Sequence, residues 1–305
     1  MQAWLITALY NIILAAFYQM VPTVGLAPEG KIALCLFLWT VGLWIIRPIP
    51  ELISAIIGIT LLLAMNFKPA VVLSGFASPV WWMVVFACTL GVAINHTGLG
   101  KRLAYYLLCR ANTLLKVIFA TTFANNLLAP FTPSNTARGA IMFGVTEGIC
   151  ESLGFEKGKR QWDDALMLAN MYINTTNTNM FLTAMGGNAI AVSLIAQGVG
   201  KTITWSEWFV AAFVPGIAVL VILPYLVYKM FEPKEKVCID CSYSQAKLAE
   251  MGPMSKEEKT TLWIMLITLV IWATEIWHKV PSTTVSFAMA VALIFPTYGS
   301  VKWAD

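Results

Sequence analysis

One stretch of this chain combines hydroxyl, amide and helix-breaking residues in an order suited to binding a small anion. It runs Ala129-Pro130-Phe131-Thr132-Pro133-Ser134-Asn135-Thr136-Ala137-Arg138-Gly139. Pro133 lacks an N–H and restrains the residue before it, so an incoming helix ends there. The helix that follows begins with unpaired N–H groups and the positive end of its dipole, which attract a carboxylate. We therefore predict that the anion is bound by Thr132, Ser134, Asn135 and Thr136. The alternative is that Ser134 only caps the second helix.

A second polar cluster, residues 174–179, lies inside the run 165–200, which has no charged residue and no histidine. As one straight helix these 36 residues would extend about 54 Å, well beyond a bilayer core of about 30 Å. Asn and Thr also disfavour helix interiors, so the sequence predicts a broken helix whose loose ends form a binding site. The predicted substrate-binding residues here are Asn174, Thr175, Thr176, Asn177 and Thr178. The alternative is polar contact between helices.

Arg138 is the one basic residue that we cannot assign to either membrane face. A charge within the membrane is a functional hypothesis by default. Arg138 either attracts the anion, and so joins the predicted substrate-binding residues, or pairs with Glu147 or Glu151 on the same helix.

The sequence shows no clear motif for catalysis or for binding a metal or cofactor. No His-x-x-x-His motif and no acidic pair occurs at membrane depth, so we predict no enzyme activity, no catalytic residue, no metal site and no cofactor. A single pair, Cys238-x-x-Cys241, is a weak signal for metal or redox chemistry, and we interpret it as incidental. The net charge of +4 does not indicate a nucleic-acid partner, because the positions of the basic residues have another explanation.

The composition predicts an all-α polytopic membrane protein. Charged residues make up 12% of the chain and mean hydropathy is +0.72, whereas soluble domains carry about 25% charged residues. Uncharged runs long enough to span a bilayer recur along the chain. We predict helices at roughly 5–22, 31–46, 51–65, 79–97, 165–197, 208–228, 260–277 and 283–300.

The basic residues orient these helices, because lysine and arginine concentrate on the cytoplasmic side. With the N-terminus inside, fifteen of the 20 basic residues lie inside and four outside, and Arg138 is the remaining one. We therefore expect a multi-pass protein of the inner or plasma membrane with a cytoplasmic N-terminus. This count requires residues 117–153 to enter and leave on one side. The arms 117–131 and 138–153 are about 22 and 24 Å long, so they predict a re-entrant hairpin with its tip at 132–136. The alternative is two short spans.

An internal repeat at an offset of 233 residues aligns three positions: Trp39, Trp44 and Pro48 with Trp272, Trp277 and Pro281. Because five crossings separate the copies, the second is inverted, which is the architecture of many secondary transporters. The predicted domains are an N-terminal helix (1–30), a first repeat (31–229), a solvated cytoplasmic linker (230–259) and the start of a second repeat (260–305). We expect about 150 residues of the second copy to be missing, on the premise that the repeats are of similar length.

The string at 129–139 closely resembles the signature of the divalent anion:sodium symporter family, most of all the branch of citrate/succinate and tartrate/succinate antiporters and plastid 2-oxoglutarate/malate translocators. Residues 97–102 and 181–185 are also similar. The resemblance implies a homodimer, and a substrate carboxylate bound by Ser134, Asn135 and Thr136. It also allows a sodium ion at the hairpin and the broken helix. Here Pro130 stands where the sodium-coupled pattern has a hydroxyl residue, and the break is Asn/Thr-rich rather than Gly-rich, so exchange without sodium is favoured.

The function that we expect is transport of small di- or tricarboxylates through a lipid membrane, by anion exchange with alternating access. The alternatives are a sodium-coupled symporter and a membrane subunit that does not transport. The sequence does not distinguish citrate, succinate, malate, tartrate or 2-oxoglutarate as substrate.

Overall fold

The computed structural model describes residues 2–20, 25, 27–152, 161–231 and 241–302. Within these ranges the chain is helical without any strand, which confirms the predicted all-α class. The helices are α1 (Gln2–Met20), α2 (Pro28–Ile46), α3 (Glu51–Ala64), α4 (Pro69–Val72), α5 (Pro79–Thr97), α6 (Leu99–Leu108), α7 (Leu114–Leu128), α8 (Asn135–Ser152), α9 (Gln161–Thr176), α10 (Gly186–Val199), α11 (Trp205–Met230), α12 (Ser242–Met251), α13 (Lys256–Ala273), α14 (Glu275–His278) and α15 (Ser282–Ile294).

Three described helices are long and apolar enough to cross a membrane, namely α2, α11 and α7 together with its next turn to Phe131. A fourth candidate is α5 with α6, which meet at a 64° bend. Gly98 lies at this bend with a φ of 76°, a left-handed conformation that glycine adopts without steric strain. Shorter apolar helices, of 10–17 residues, are Trp4–Met20, Glu51–Ala64, Gly186–Val199 and Ser282–Ile294. Large apolar side chains are nevertheless exposed along the chain, Ile45 and Val199 to 77%, which is typical of a surface that faces lipid rather than water.

The first compact unit is Met1–Ser78 and contains α1 to α4. Helix α2 packs between α1 and α3. The Tyr10 ring lies directly against Gly42, and its hydroxyl donates to the Leu38 carbonyl at 2.5 Å. A side chain at position 42 would displace this ring, so the close approach of α1 and α2 depends on glycine there.

The second compact unit, Pro79–Asp305, contains both predicted polar clusters. Helices α7 and α8 form the predicted hairpin, and α9 packs against both of them and against α11. Helix α15 packs along α5 and α13. Leu90, Ile118 and Leu166 are among the fully buried side chains of its core.

The hairpin and the break both form, with one shifted boundary. The second arm begins at Asn135 rather than at the predicted Arg138, so Asn135 and Thr136 belong to the first turn of α8. Ser134 accepts a hydrogen bond from the Ala137 N–H at 3.2 Å and thus caps this helix, as Ser does at many helix starts. The predicted helix 165–197 is interrupted after Thr176 by two short 3-10 turns, and it resumes at Gly186.

Local signals that the sequence analysis did not use explain two further helix starts. Helices α11 and α13 begin before the predicted residues 208 and 260, at Trp205 and Lys256. In each case a capping box precedes the helix, because the preceding hydroxyl residue (Thr204 or Ser255) pairs reciprocally with a glutamate three positions later. The opposite correction applies to α15, which ends at Ile294 and not at 300. Pro296 accounts for this end, since the residue before a proline is pushed out of the helical conformation.

Part of the predicted linker folds as a helix. Residues 232–240, including Cys238, lie outside the described residues, and α12 packs against α6 and α8. Arg102 explains this packing. Its guanidinium binds both oxygens of the buried Glu258 carboxylate, at 2.7 and 3.1 Å. It also donates to the Gly252 and Met251 carbonyls that end α12.

The two segments that the predicted repeat aligns contain similar turns, although the register of these turns differs from that of the alignment. The helix–turn–helix α2–α3 passes through Arg47 with a positive φ and then an N-cap proline, Pro50. The segment α13–α15 does the same at Lys279 and Pro281. In both turns a tryptophan indole N–H donates a hydrogen bond to the backbone carbonyl of the first residue of the next helix. These indoles belong to Trp44 and Trp272, which are not a pair in the alignment by 233 residues.

Candidate anion-binding site

The hairpin and the broken helix meet at Arg138, whose side chain is 0% exposed. The guanidinium donates to the Thr132 carbonyl at 2.9 Å and to the Asn135 amide oxygen at 2.7 Å, both in the hairpin. It also donates to Asn174 of α9, at 3.0 Å to the side-chain oxygen and at 3.1 Å to the backbone carbonyl. One side chain therefore joins the tip of the hairpin to the last turn of α9.

Every acceptor around this guanidinium within the described residues is a neutral oxygen. The fifth is Oδ1 of Asn125, on α7, at 3.0 Å from Nε. The predicted pairing with Glu147 or Glu151 is not seen, because Glu147 lies nine residues further along α8, about 14 Å at 1.5 Å per residue. Since arginine stays protonated in proteins, the described residues hold a positive charge here by amide and carbonyl dipoles.

Arg138 also fixes which way the Asn135 amide points. Arginine has only donors, so it must take the amide oxygen and leave the NH₂ group of Asn135 on the other side. That NH₂ group has no protein acceptor among the described residues. Asn174 completes the arrangement, because its own Nδ2 donates to the Asn135 carbonyl at 2.8 Å.

The donors at the tip are accessible. Thr136 is exposed, and Ser134 and Asn135 are half-buried. The Ser134 oxygen is used as a cap, but its hydroxyl hydrogen is left to donate. The first turn of α8 therefore presents a hydroxyl, an amide, another hydroxyl and the positive end of the helix. Thr132 differs, since it is buried and its hydroxyl finds no hydrogen-bond partner in the described part of the chain.

The residues predicted at the break divide into three groups. Asn174 contacts the hairpin, as described above. Thr175 and Thr176 turn their hydroxyls back onto carbonyls of α9, which is how threonine satisfies itself within a helix. Asn177 and Thr178 are buried inside the break. The structure thus brings Asn174 to Asn135 and Arg138, but it leaves Thr175 and Thr176 turned towards their own helix.

Side chains from outside the predicted set hold the break open. Asn188, in the first turn of α10, donates to the carbonyls of Thr178 and Phe181 at 2.6 and 3.0 Å. The Trp208 indole donates to the Asn179 carbonyl at 3.0 Å. Carbonyls freed by a broken helix must be paired inside a membrane protein, and these side chains provide the donors.

Gly139 explains how close α8 and α9 come. A Cβ atom at this position would lie 2.9 Å from Nδ2 of Asn174. That distance is shorter than real Cβ atoms tolerate, so the Asn174 contact with the hairpin requires glycine at 139.

Asn125 is the site residue that the sequence analysis missed. It is fully buried, and its Nδ2 also donates to Asn174 at 3.4 Å. The available signal was a pair of asparagines, 125 and 126, in an otherwise apolar helix. No group of three or more His, Cys, Asp or Glu that could hold a metal ion forms within the described ranges.

Comparison with known proteins identifies the family. The chain matches the sodium:sulfate symporter transmembrane region over residues 2–305. It belongs to this family. The match confirms the resemblance carried by the hairpin string and places the protein among membrane transporters.

Three relatives illustrate the similarity. Inner membrane protein YbhI of Escherichia coli (strain K12) is 35% identical over 276 residues, which are 87% of this chain and 57% of that protein. Chloroplastic dicarboxylate transporter 1 of Spinacia oleracea is 30% identical over 307 residues, 97% of this chain and 53% of the relative. The L-tartrate/succinate antiporter of Escherichia coli (strain K12) is 28% identical over 257 residues, 76% and 53% of the two chains. The chain spans about half the length of the curated relatives it matches.

Proposed function

We propose that the intact protein exchanges small di- or tricarboxylates across the membrane, and that the hairpin tip binds one carboxylate of the substrate. The observation that carries this proposal is the buried Arg138 guanidinium with five neutral acceptors. Such a charge lacks a counter-ion among the described residues, and a dianion at the tip would supply one. The relatives named as a dicarboxylate transporter and as a tartrate/succinate antiporter support the same substrate class.

In this mechanism the two kinds of residues have different roles. Ser134, Asn135, Thr136 and the first N–H groups of α8 donate to the carboxylate. Arg138 does not bind the carboxylate directly, because four of its five N–H groups already donate to acceptors within the protein. It orients the Asn135 amide and adds a fixed positive potential. In a site that excludes water, such fixed dipoles and charges act more strongly than in solution.

The same contacts argue against a sodium ion between the hairpin and the break. The amide oxygens of Asn125, Asn135 and Asn174 and the carbonyl oxygen of Thr132 could ligate such an ion, but each already accepts from Arg138. A second positive charge beside the guanidinium would be repelled. We therefore propose exchange rather than sodium-coupled uptake, with the fixed charge in the place of a coupling cation.

Three further proposals complete the account. The N-terminus lies in the cytoplasm, supported by the asymmetry of the basic residues. Residues 117–153 enter and leave the membrane on the cytoplasmic side, supported by the tight tip between α7 and α8. The homodimer rests on the family resemblance alone and stays a prediction.

The direct test is counterflow of labelled succinate into proteoliposomes that contain the intact protein. We expect uptake only when an unlabelled dicarboxylate is present inside, with the same rate when choline replaces sodium. A rate that rises steeply with sodium and ignores the internal anion would instead indicate a symporter.

A further inference from the structure

The Pro130 carbonyl, at the end of the first hairpin arm, has lost its helical partner. The acceptor pattern of the 3-10 turn Ala129–Phe131 would pair this oxygen with the N–H of residue 133, which is a proline and has none. Thr132 is also extended, with φ −124° and ψ 91°. An unpaired carbonyl at membrane depth is strongly unfavourable.

Thr183, in the break between α9 and α10, provides the missing donor. Its hydroxyl lies 2.6 Å from the Pro130 oxygen, and its side chain is 1% exposed. The two residues are 53 positions apart, so this hydrogen bond joins the hairpin to the broken helix independently of Arg138. It holds the chain two residues before Thr132, whose carbonyl binds the guanidinium.

Trp205 determines the direction of that hydrogen bond. Its indole N–H donates to the same Thr183 oxygen at 3.2 Å. Because an indole can only donate, the Thr183 oxygen is the acceptor and its hydrogen is left for Pro130. Trp205 is held in turn by ring stacking on Phe181 and Trp272 and by its backbone N–H, which binds the Glu275 carboxylate at 3.0 Å.

We propose that Thr183 is a positioning residue for the hairpin tip and that Trp205 fixes the orientation of its hydroxyl. Neither side chain touches the anion. They act through the Pro130 backbone on the placement of Thr132 and, beyond it, of Arg138 and Asn135. The effect on anion affinity rests on the proposed function, whereas the effect on the hairpin itself does not.

Three substitutions separate this role from simple core packing. Thr183→Val keeps the shape but leaves the Pro130 oxygen and the Trp205 N–H unpaired. Thr183→Ser keeps the hydroxyl and loses a methyl group, so it serves as the matched control. Trp205→Phe keeps an aromatic ring in the stack but removes the N–H together with part of the indole, so it remains informative if Thr183→Val does not fold.

Two measurements on the intact protein in lipid nanodiscs test the proposal. The first is hydrogen–deuterium exchange of residues 130–138 without any substrate. We expect exchange there to rise at least severalfold in Thr183→Val, less in Trp205→Phe, and to stay near wild type in Thr183→Ser. The second is succinate affinity, which should fall about tenfold or more in Thr183→Val, as the loss of a buried hydrogen bond predicts, and return in Thr183→Ser.

The outcomes distinguish the two claims. Unchanged exchange of residues 130–138 in both Thr183→Val and Trp205→Phe would overturn the positioning role. Equal defects in Thr183→Ser and Thr183→Val would also overturn it, because they would assign the effect to the methyl group. Wild-type protein that binds no succinate contradicts the proposed function, while the exchange data still decide the role of Thr183.

Discussion

Arg138 donates twice to Asn174, to its side-chain oxygen at 3.0 Å and to its backbone carbonyl at 3.1 Å. Through this pair the second arm of the hairpin is bound to the end of α9, the helix that breaks. A buried guanidinium needs several acceptors to offset its loss of water. Asn174 therefore joins the second polar cluster to the hairpin in one candidate site, organised around a charge that belongs to the protein itself.

Gly139→Ala should lower succinate affinity about tenfold or more. The new Cβ would lie 2.9 Å from Nδ2 of Asn174 and would push that side chain away from the Asn135 carbonyl, with loss of a buried hydrogen bond. Gly144→Ala is the matched control on the same helix, since a Cβ there has nothing within 4 Å. Succinate binding should be measured for both variants. Equal affinities would contradict the tight contact between α8 and α9.

Glu258→Gln should destabilise the protein by about 2–3 kcal/mol, because it leaves the largely buried Arg102 without its charged partner. The contact of α12 with α6 should loosen as well. The control is Glu250→Gln, which removes an exposed pair with Lys247, and exposed pairs contribute little. Thermal unfolding in detergent measures both variants. A clear loss of stability in the control, or none in Glu258→Gln, would contradict the stabilising role of the Arg102–Glu258 ion pair.

The re-entrant hairpin predicts that both of its ends are accessible from one side. In a protein without native cysteines, Lys116→Cys and Glu151→Cys should react with an impermeant thiol reagent only from the cytoplasmic side. Lys201→Cys and Lys279→Cys should react only from outside. Labelling of position 151 from outside would show that 117–153 crosses the membrane.

Sequence alone predicted the hairpin and the break, because both follow from local chemistry. Pro133 ends one arm, and a run of asparagine and threonine disfavours a continuous helix. It did not predict the partners of Arg138, since Asn125 and Asn174 lie 13 and 36 positions away. Only the packing of three helices brings these amides together.

The predicted linker also makes contacts that the sequence did not predict. Residues 242–251 have a polar composition that is typical of solvated loops, yet Tyr243 packs directly on Gly148 of α8. The packing of α12 depends on a close approach to helices that are distant in sequence, and the hydrophobic periodicity of the segment does not predict such a contact. Thr183 and Trp205 were missed for the same reason, because a threonine and a tryptophan in apolar segments are ordinary core residues until their partners are known.

The most direct test of the account neutralises the charge of Arg138 without removing the side chain. Asn125→Asp places a carboxylate oxygen at the position of Asn125 Oδ1, which lies 3.0 Å from Nε of Arg138. Two opposite unit charges about 4 Å apart attract by roughly 4 kcal/mol at an effective dielectric constant of about 20. Asn125→Ser, a smaller neutral residue with an oxygen acceptor, is the control. We predict that sodium-independent counterflow of succinate by the intact protein falls at least tenfold in Asn125→Asp and much less in Asn125→Ser, while the Asn125→Asp protein stays folded. Wild-type counterflow in Asn125→Asp would contradict the claim that Arg138 supplies the charge for the anion.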